Sequence, residues 1–174
     1  MADFEGETTI RPAVLGDAAA IAKVHIASWQ EAYAGIVPAE ILDNLDVQRR
    51  EEQWRAHLQD AERESIRIWV AEREGEIVGF ASFGPSRDED ADRHTWELYA
   101  IYLTPEAWGR GVARELMRTV LAQPEAAETV TLWVLADNER ARHFYRRHGF
   151  TPDGTERLED FGPAQLQEVR YRRG

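Results

Sequence analysis

The sequence predicts an α/β (α+β) domain, a mixed and mostly antiparallel sheet of six or seven strands with one parallel central pair and helices on both faces. Three observations lead there. Three helical stretches precede the first β-hairpin, and a strand, a helix and a strand then follow one another from His94 to Leu135, which asks for a parallel crossover. Two strand-like runs close the chain as an antiparallel pair. At 174 residues there is room for one core and little for a second, so residues 1–174 read as a single domain.

Taken in order, TTIRPA from Thr8 is a short first strand. Asp17 is placed to cap a helix whose apolar stripe runs through Ile21, Val24, Ser28/Trp29 and Ala32/Tyr33, until Gly35 breaks it. Pro38 opens a short helix through Leu45, and Val47 to Leu58 forms a third, with Trp54 and Leu58 on one side. The runs IRIWVAE and IVGFASF flank Gly75 and predict a hairpin from Ser65 to Phe83. PSRDEDADR, Pro85 to Arg93, is short, polar and acidic and reads as an exposed loop. The β-branched and aromatic content of His94 to Leu103 predicts a central strand. A helix from Gly111 to Ala122 turns Val112, Leu116, Val120 and Leu121 inward. Thr129 to Leu135 is a second buried strand, and Asn138 to His148 a helix that Gly149 ends. FTPDGTERL and QEVRYRR supply the closing pair.

Composition narrows the function classes. The chain is 43% hydrophobic and 30% charged, and no apolar run approaches the roughly 20 residues that span a bilayer. No membrane association is expected. MADFEGETTI has acidic residues where an export signal carries basic ones, and with no cysteine the chain fits a reducing compartment, so the cytoplasm is the expected location. A net charge of −11 repels a phosphate backbone, which argues against nucleic acid as a partner. The five histidines, His25, His57, His94, His143 and His148, show no metal-ligand spacing, and no metal is expected.

The passage AWGRGVARELM raises the functional question, because Gly109 and Gly111 stand where glycine costs entropy unless the backbone must be approached closely. A strand that feeds a helix through such a turn leaves unpaired N–H groups at the positive end of a helix dipole, a site for phosphate, with Arg110 as a charge partner. The alternative is a tight connection and nothing more. The Lys-Ser/Thr of a nucleotide triphosphate loop is missing, and so is the G-x-G-x-x-G spacing of a dinucleotide site. A metal-free pyrophosphate remains.

ELYAIYLTPEAWGRGVARELM, followed by LWVLADNERARHFYRRHGF, resembles the two signature segments of the GNAT superfamily of acetyl-CoA-dependent N-acetyltransferases. The family's Q/R-x-x-G-x-G/A pattern aligns with Gly111 and Ala113, while Trp108 replaces its leading Gln or Arg; Asn138, Tyr145, Gly149 and Phe150 keep the spacing of the second segment. The motifs cover about Trp96 to Phe150. The resemblance implies a GNAT-like fold and transfer of acetyl from acetyl-CoA to a primary amine, of a small molecule or a peptide N-terminus, by direct attack. A coenzyme A-binding sensor or interaction module that has lost the chemistry is the alternative. A route through an acetylated cysteine is excluded by composition.

The same resemblance assigns residues. Main-chain groups of Gly109, Arg110, Gly111, Val112, Ala113 and Arg114 hold the diphosphate, Ile101 and Leu103 pair with pantetheine, and Asn138 contacts the cofactor or caps its helix. Tyr145 protonates the departing thiolate, and Glu97, on the strand before the loop, takes the amine's proton, with a solvated or salt-bridged residue as the alternative. His94 is a second candidate base or a loop histidine. Ser28, Trp29 and Tyr33 lie on the helix that borders the acceptor cleft in this family, where core packing is their other reading. The acidic stretch Asp88 to Asp92 suggests cationic acceptors. Members often pair, and six tryptophans are compatible with a homodimer interface.

Overall fold

The computed structural model describes residues 7–161 and 163–174; residues 1–6, the start of the stretch read for an export signal, lie outside the described residues. The first strand, β1 (Thr9–Pro12), leads into α1 (Ala18–Ala32), α2 (Ala39–Asp43) and α3 (Val47–Asp60). A meander of β2 (Arg67–Arg73), β3 (Glu76–Pro85) and β4 (Thr95–Leu103) follows. Then come α4 (Val112–Leu121), β5 (Thr129–Leu135), α5 (Glu139–Arg147), β6 (Thr151–Phe161) and β7 (Ala164–Arg173).

The seven strands form one sheet in the order β1-β2-β3-β4-β5-β7-β6, antiparallel except for the β4/β5 pair. The mixed sheet with its central parallel pair is thus as the sequence predicts. The β2/β3 turn has two residues, Glu74 and Gly75, both left-handed at φ 52° and 80°, which matches the twist of a tight hairpin.

Helices cover both faces. Leu116, Met117 and Val120 of α4 pack on Ala81, Phe83 and Leu98, while Ile21 and Val24 of α1 and Trp54 of α3 pack on Ile68, Val70 and Phe80. Alternate residues of β2 go to opposite faces, Trp69 and Ala71 to the first and Ile68 and Val70 to the second, so the strand reads as a continuous apolar run. Among the described residues no helix is long and apolar enough to cross a membrane.

Three details differ from expectation. Asp17 does not cap α1; its carboxylate turns back to the Val14 N–H at 2.8 Å and to the Arg11 guanidinium at 2.8 and 3.0 Å. The ion pair outweighs the cap because a charge-assisted bidentate bond is stronger than one bond to an amide. Helix α2 ends at Asp43 rather than Leu45, and α3 is capped by Asp46, whose Oδ1 accepts from Gln48 and Arg49 N–H. The acidic loop lies at the surface, but much of its charge is engaged internally. Asp88 and Asp90 bind Arg170 of β7, and Asp88 also accepts from the Trp133 indole at 2.9 Å. A guanidinium side chain only 5% exposed needs counter-charges, and this loop supplies two of them, with Asp153 at 2.7 Å the third.

Candidate active site

The parallel pairing of β4 and β5 is brief. Thr95, Trp96 and Glu97 pair with Thr129, Val130 and Thr131, after which the strands diverge although β4 runs on to Leu103 and β5 to Leu135. Register on the other side of β4 jumps from Ser82↔Ala100 to Phe83↔Leu98, leaving Tyr99 as a bulge residue at the start of the divergence. The Thr104 N–H bonds to the Val78 carbonyl at 2.9 Å. N–H groups alternate along a strand, so those of Ile101 and Leu103 turn to the open edge. A cleft of about 1070 Å³ runs through this fork, with α4 and α5 on one side and α1 on the other.

On the α4 side the turn before the helix is open. Gly109 and Gly111 have φ of 75° and 82°, and a Cβ at either would meet nothing within 4 Å. Glycine is needed there for the left-handed backbone, and its bareness leaves the peptide face accessible. Gly111 caps α4 without side-chain help. The first backbone bond of the helix runs from Glu115 N–H to Gly111 O at 3.1 Å, so Val112, Ala113 and Arg114 present N–H groups that no earlier helical carbonyl takes up.

The side chains around this turn are cationic although the protein is acidic. The Arg110 Nε donates to the Glu106 carbonyl at 2.8 Å, which holds the side chain along the turn. Arg140 of α5 stands over the Trp108 ring at 3.9 Å. Burial, and then Arg114, Arg147, Arg118 and Arg173, push His148 below its ordinary pKa, a sign of positive potential at this end of the cleft. Trp108 therefore carries a cation by stacking, where the family pattern has a polar or cationic side chain in that position.

At the fork, Glu97 is the last residue of the parallel pair, with its side chain 3% exposed. Its Oε1 accepts from the Arg87 N–H at 3.0 Å and its Oε2 from the Arg87 guanidinium at 2.9 Å. Tyr145 of α5 is half-buried against Phe150 and Tyr171, and burial pushes its hydroxyl well above the ordinary tyrosine range. Asn138 caps α5, its Oδ1 accepting from Ala141 N–H at 3.2 Å, and it also lines the cleft, so both of its readings coexist.

The α1 wall is aromatic. Ser28, Trp29 and Tyr33 line the cleft, and Ser28 and Tyr33 are also buried, so the packing and cleft readings describe the same residues. Trp29 meets Tyr33 at 5.0 Å between ring centres, and His25 stacks on Tyr102 at 5.2 Å. The Tyr33 and Tyr102 hydroxyls face each other, and burial raises both pKa values. The Trp29 indole N–H faces the same hydroxyl but forms no hydrogen bond of ordinary geometry. Two candidates lie apart from this arrangement. His94 is exposed at the closed end of the β4/β5 pair, 2.8 Å from Glu128. The carboxylates of Asp88 and Asp90 face Arg170 rather than standing free to draw in a cation.

Sequence reading missed several cleft residues. Glu168 of β7 lies opposite Leu135 in register, 12% exposed, and accepts from Arg157 Nε at 2.9 Å. Burial pushes its pKa up, Arg157 opposes that, and Glu159 and Glu97 reinforce it. The alternation Leu166, Glu168, Arg170 puts two charges on an inward strand face, the one signal that could have revealed it. Arg50, Tyr102 and Arg140 also line the cleft, and nothing local in the sequence distinguishes them. Among the described residues no cluster of His, Asp or Glu could hold a metal.

Comparison with known proteins agrees with this geometry. Residues 27–150 match the Acetyltransferase (GNAT) family. The uncharacterized N-acetyltransferase YuaI of Bacillus subtilis is 35% identical over 133 residues, covering 75% of this chain and 73% of that protein. The PaiA N-acetyltransferase of Thermoplasma acidophilum, solved in complex with coenzyme A, shares the fold at a TM-score of 0.74, covering 96% of this chain and 98% of that one at 18% identity. YncA of Salmonella typhimurium, a putative acetyltransferase solved with acetyl-CoA, does so at 0.70, over 95% and 92%, at 22% identity. The overall fold is therefore shared with these two proteins, and the family match together with the YuaI similarity shows that the chain belongs to the GNAT family of acetyltransferases.

Proposed function

We propose that the protein transfers an acetyl group from acetyl-CoA to a primary amine by direct attack across the β4/β5 fork. The observation that carries this is the coincidence of the open β4 edge with the uncapped N-terminus of α4 in one cleft. The residues fit the cosubstrate. Left-handed glycines at 109 and 111 leave the N–H groups from Gly109 to Arg114 open to a diphosphate, and Arg140 adds charge beside them. The N–H groups of Ile101 and Leu103 suit an amide-bearing pantetheine chain.

In the reaction the bound ammonium gives up one proton to become the attacking amine, its nitrogen bonds to the acetyl carbon as the C–S bond breaks, a second proton passes from that nitrogen to solvent as the amide forms, and one proton reaches the sulfur. Glu97 accepts the amine's proton through a water, since its two oxygens already hold Arg87 and each keeps a lone pair. Glu168 holds the ammonium form before that transfer. Tyr145 gives its proton to the leaving thiolate. Burial keeps the tyrosine protonated and so able to donate, and the same desolvation raises the basicity of the thiolate that receives the proton.

Calorimetry with coenzyme A and thiol release against an amine panel test the reading together. Binding with turnover supports it. Binding without turnover across the panel indicates the sensor alternative, and no binding removes both. Tyr145→Phe is expected to lower kcat by about 10²-fold with little change in KM for acetyl-CoA, the size of a lost general acid.

A further inference from the structure

Charged side chains in the acceptor half of the cleft come in pairs, with one exception. Arg87 is bound to Glu97, and Arg157 is bound to Glu168 at 2.9 Å and Glu159 at 3.5 Å. Asp160 accepts from Gln165. Arg50, at the end of the first turn of α3, is half-buried and lines the same cleft as Leu45 and Tyr102, yet among the described residues its guanidinium forms no hydrogen bond or ion pair. The charged and titratable groups that act on it are Tyr102 and the like-charged Arg49, and burial opposes its charge. His25 gives no counter-charge, because burial holds it neutral with its pKa pushed down to about 3, and its Nδ1 accepts from the Trp54 indole.

A partly desolvated guanidinium without an anion is costly, and in a folded protein such a group ordinarily acquires a carboxylate. Nor is it placed for the diphosphate. Arg50 belongs to α3 and is electrostatically coupled to Tyr102, whose ring packs with His25 and Phe80 on the α1 face; the glycine turn is on the α4 face. We propose that Arg50 binds a carboxylate carried by the acceptor, so that the acceptor is a small zwitterionic amine of the amino-acid class. This rests on the acetyl-transfer reading and specifies its substrate. The paired carboxylates Glu97 and Glu168 receive the ammonium end, Arg50 the carboxylate end, and the rings of Trp29, Tyr33 and Tyr102 the apolar part between. It also replaces the cationic-acceptor idea, whose loop carboxylates face Arg170.

The experiment measures acetyl transfer to a panel of free L-amino acids and to the matching amino-acid amides, which lack only the carboxylate charge. Wild-type protein is expected to favour the acids over their amides by about tenfold or more in kcat/KM, the scale of a charge-assisted bidentate bond. Arg50→Ala should erase that preference while leaving KM for acetyl-CoA unchanged, and Arg50→Lys should restore part of it. Equal use of acids and amides, a preference for amides, or no transfer to any acid while coenzyme A still binds would each overturn the proposal. Absence of coenzyme A binding would instead overturn the acetyl-transfer reading. A thermal melt supplies the second readout. Loss of an unpaired cation should leave Tm of Arg50→Ala unchanged or higher, whereas a large fall would show that Arg50 serves the fold and would count against a ligand role.

Discussion

The Arg140 guanidinium lies 3.9 Å from the centre of the Trp108 ring, and the pair joins the first position of the glycine turn to the first turn of α5. A tryptophan that replaces a polar or cationic residue at that position thereby keeps a positive charge beside the turn. If the guanidinium meets a phosphate oxygen, Trp108→Ala and Arg140→Ala should each raise KM for acetyl-CoA about five- to tenfold with kcat within about twofold, because the contact is equal in ground and transition states. The double variant should be no worse than either single one, since each removes the same contact. Steady-state kinetics with acetyl-CoA varied checks both statements.

Arg170 holds Asp88, Asp90 and Asp153 together beneath the acidic loop, the first two at 3.2 and 2.7 Å from Nη1 and the third 2.7 Å from Nε. Arg170→Ala would leave Asp88 and Asp153, both largely buried, facing each other without a cation. A loss of about 3–5 kcal/mol in unfolding free energy is expected, read from the urea midpoint at constant m. Wild-type acceptor KM should change little with added salt if the loop carboxylates take no part in acceptor binding.

The parts of the molecule that local physics decides were legible in the sequence, and those decided by distant partners were not. The parallel pair is implied by a strand, a helix and a strand in succession, and the left-handed glycines at 109 and 111 by their place before an apolar helical stripe. Asp17 went elsewhere than expected because Arg11, six residues away in sequence, sits beside it in space. The acidic loop read as solvated because nothing near it announces Arg170, 80 residues on from Asp90. At the candidate site, Gly111, Asn138 and Tyr145 stand in recognisable spacing, whereas Glu168 and Arg50 enter the cleft only through the sheet order and the packing of α3.

Acid sensitivity has an identifiable contributor. Two hydrogen bonds from Arg67 at 2.7 Å hold Glu125 down to about 2 from its ordinary 4.5, burial opposing. A carboxylate with a depressed folded-state pKa stabilises the fold above its unfolded pKa, and the contribution disappears as pH falls through the folded value. The pair is partly solvated, which limits it to about 1 kcal/mol. The Tm advantage of wild type over Glu125→Gln should therefore be full at pH 6 and shrink between about pH 4.5 and 2. An advantage constant over that range would assign the pair no electrostatic role.

Glu97 and Glu168 flank the fork with different environments, and the pH dependence of turnover separates their roles. Glu97 accepts from both the main chain and the guanidinium of Arg87, while Glu168 accepts from Arg157 alone and is raised in pKa by burial and by like charge from Glu159 and Glu97. If Glu97 takes the amine's proton, Glu97→Gln should lower kcat by about 10²-fold and abolish the acid limb of the kcat profile. Glu168→Gln should then raise acceptor KM severalfold, through loss of an ammonium partner, and retain the limb. A raised carboxylate pKa means that the proton is held to higher pH, so a limb set by Glu168 would lie above the ordinary carboxylate range. Should Glu168→Gln remove the limb and Glu97→Gln merely shift KM, the proton acceptor is Glu168, and the Arg87 pair makes Glu97 a residue that fixes the end of the parallel pairing. The two single variants, each measured from pH 5 to 9 with saturating acetyl-CoA, decide between these outcomes.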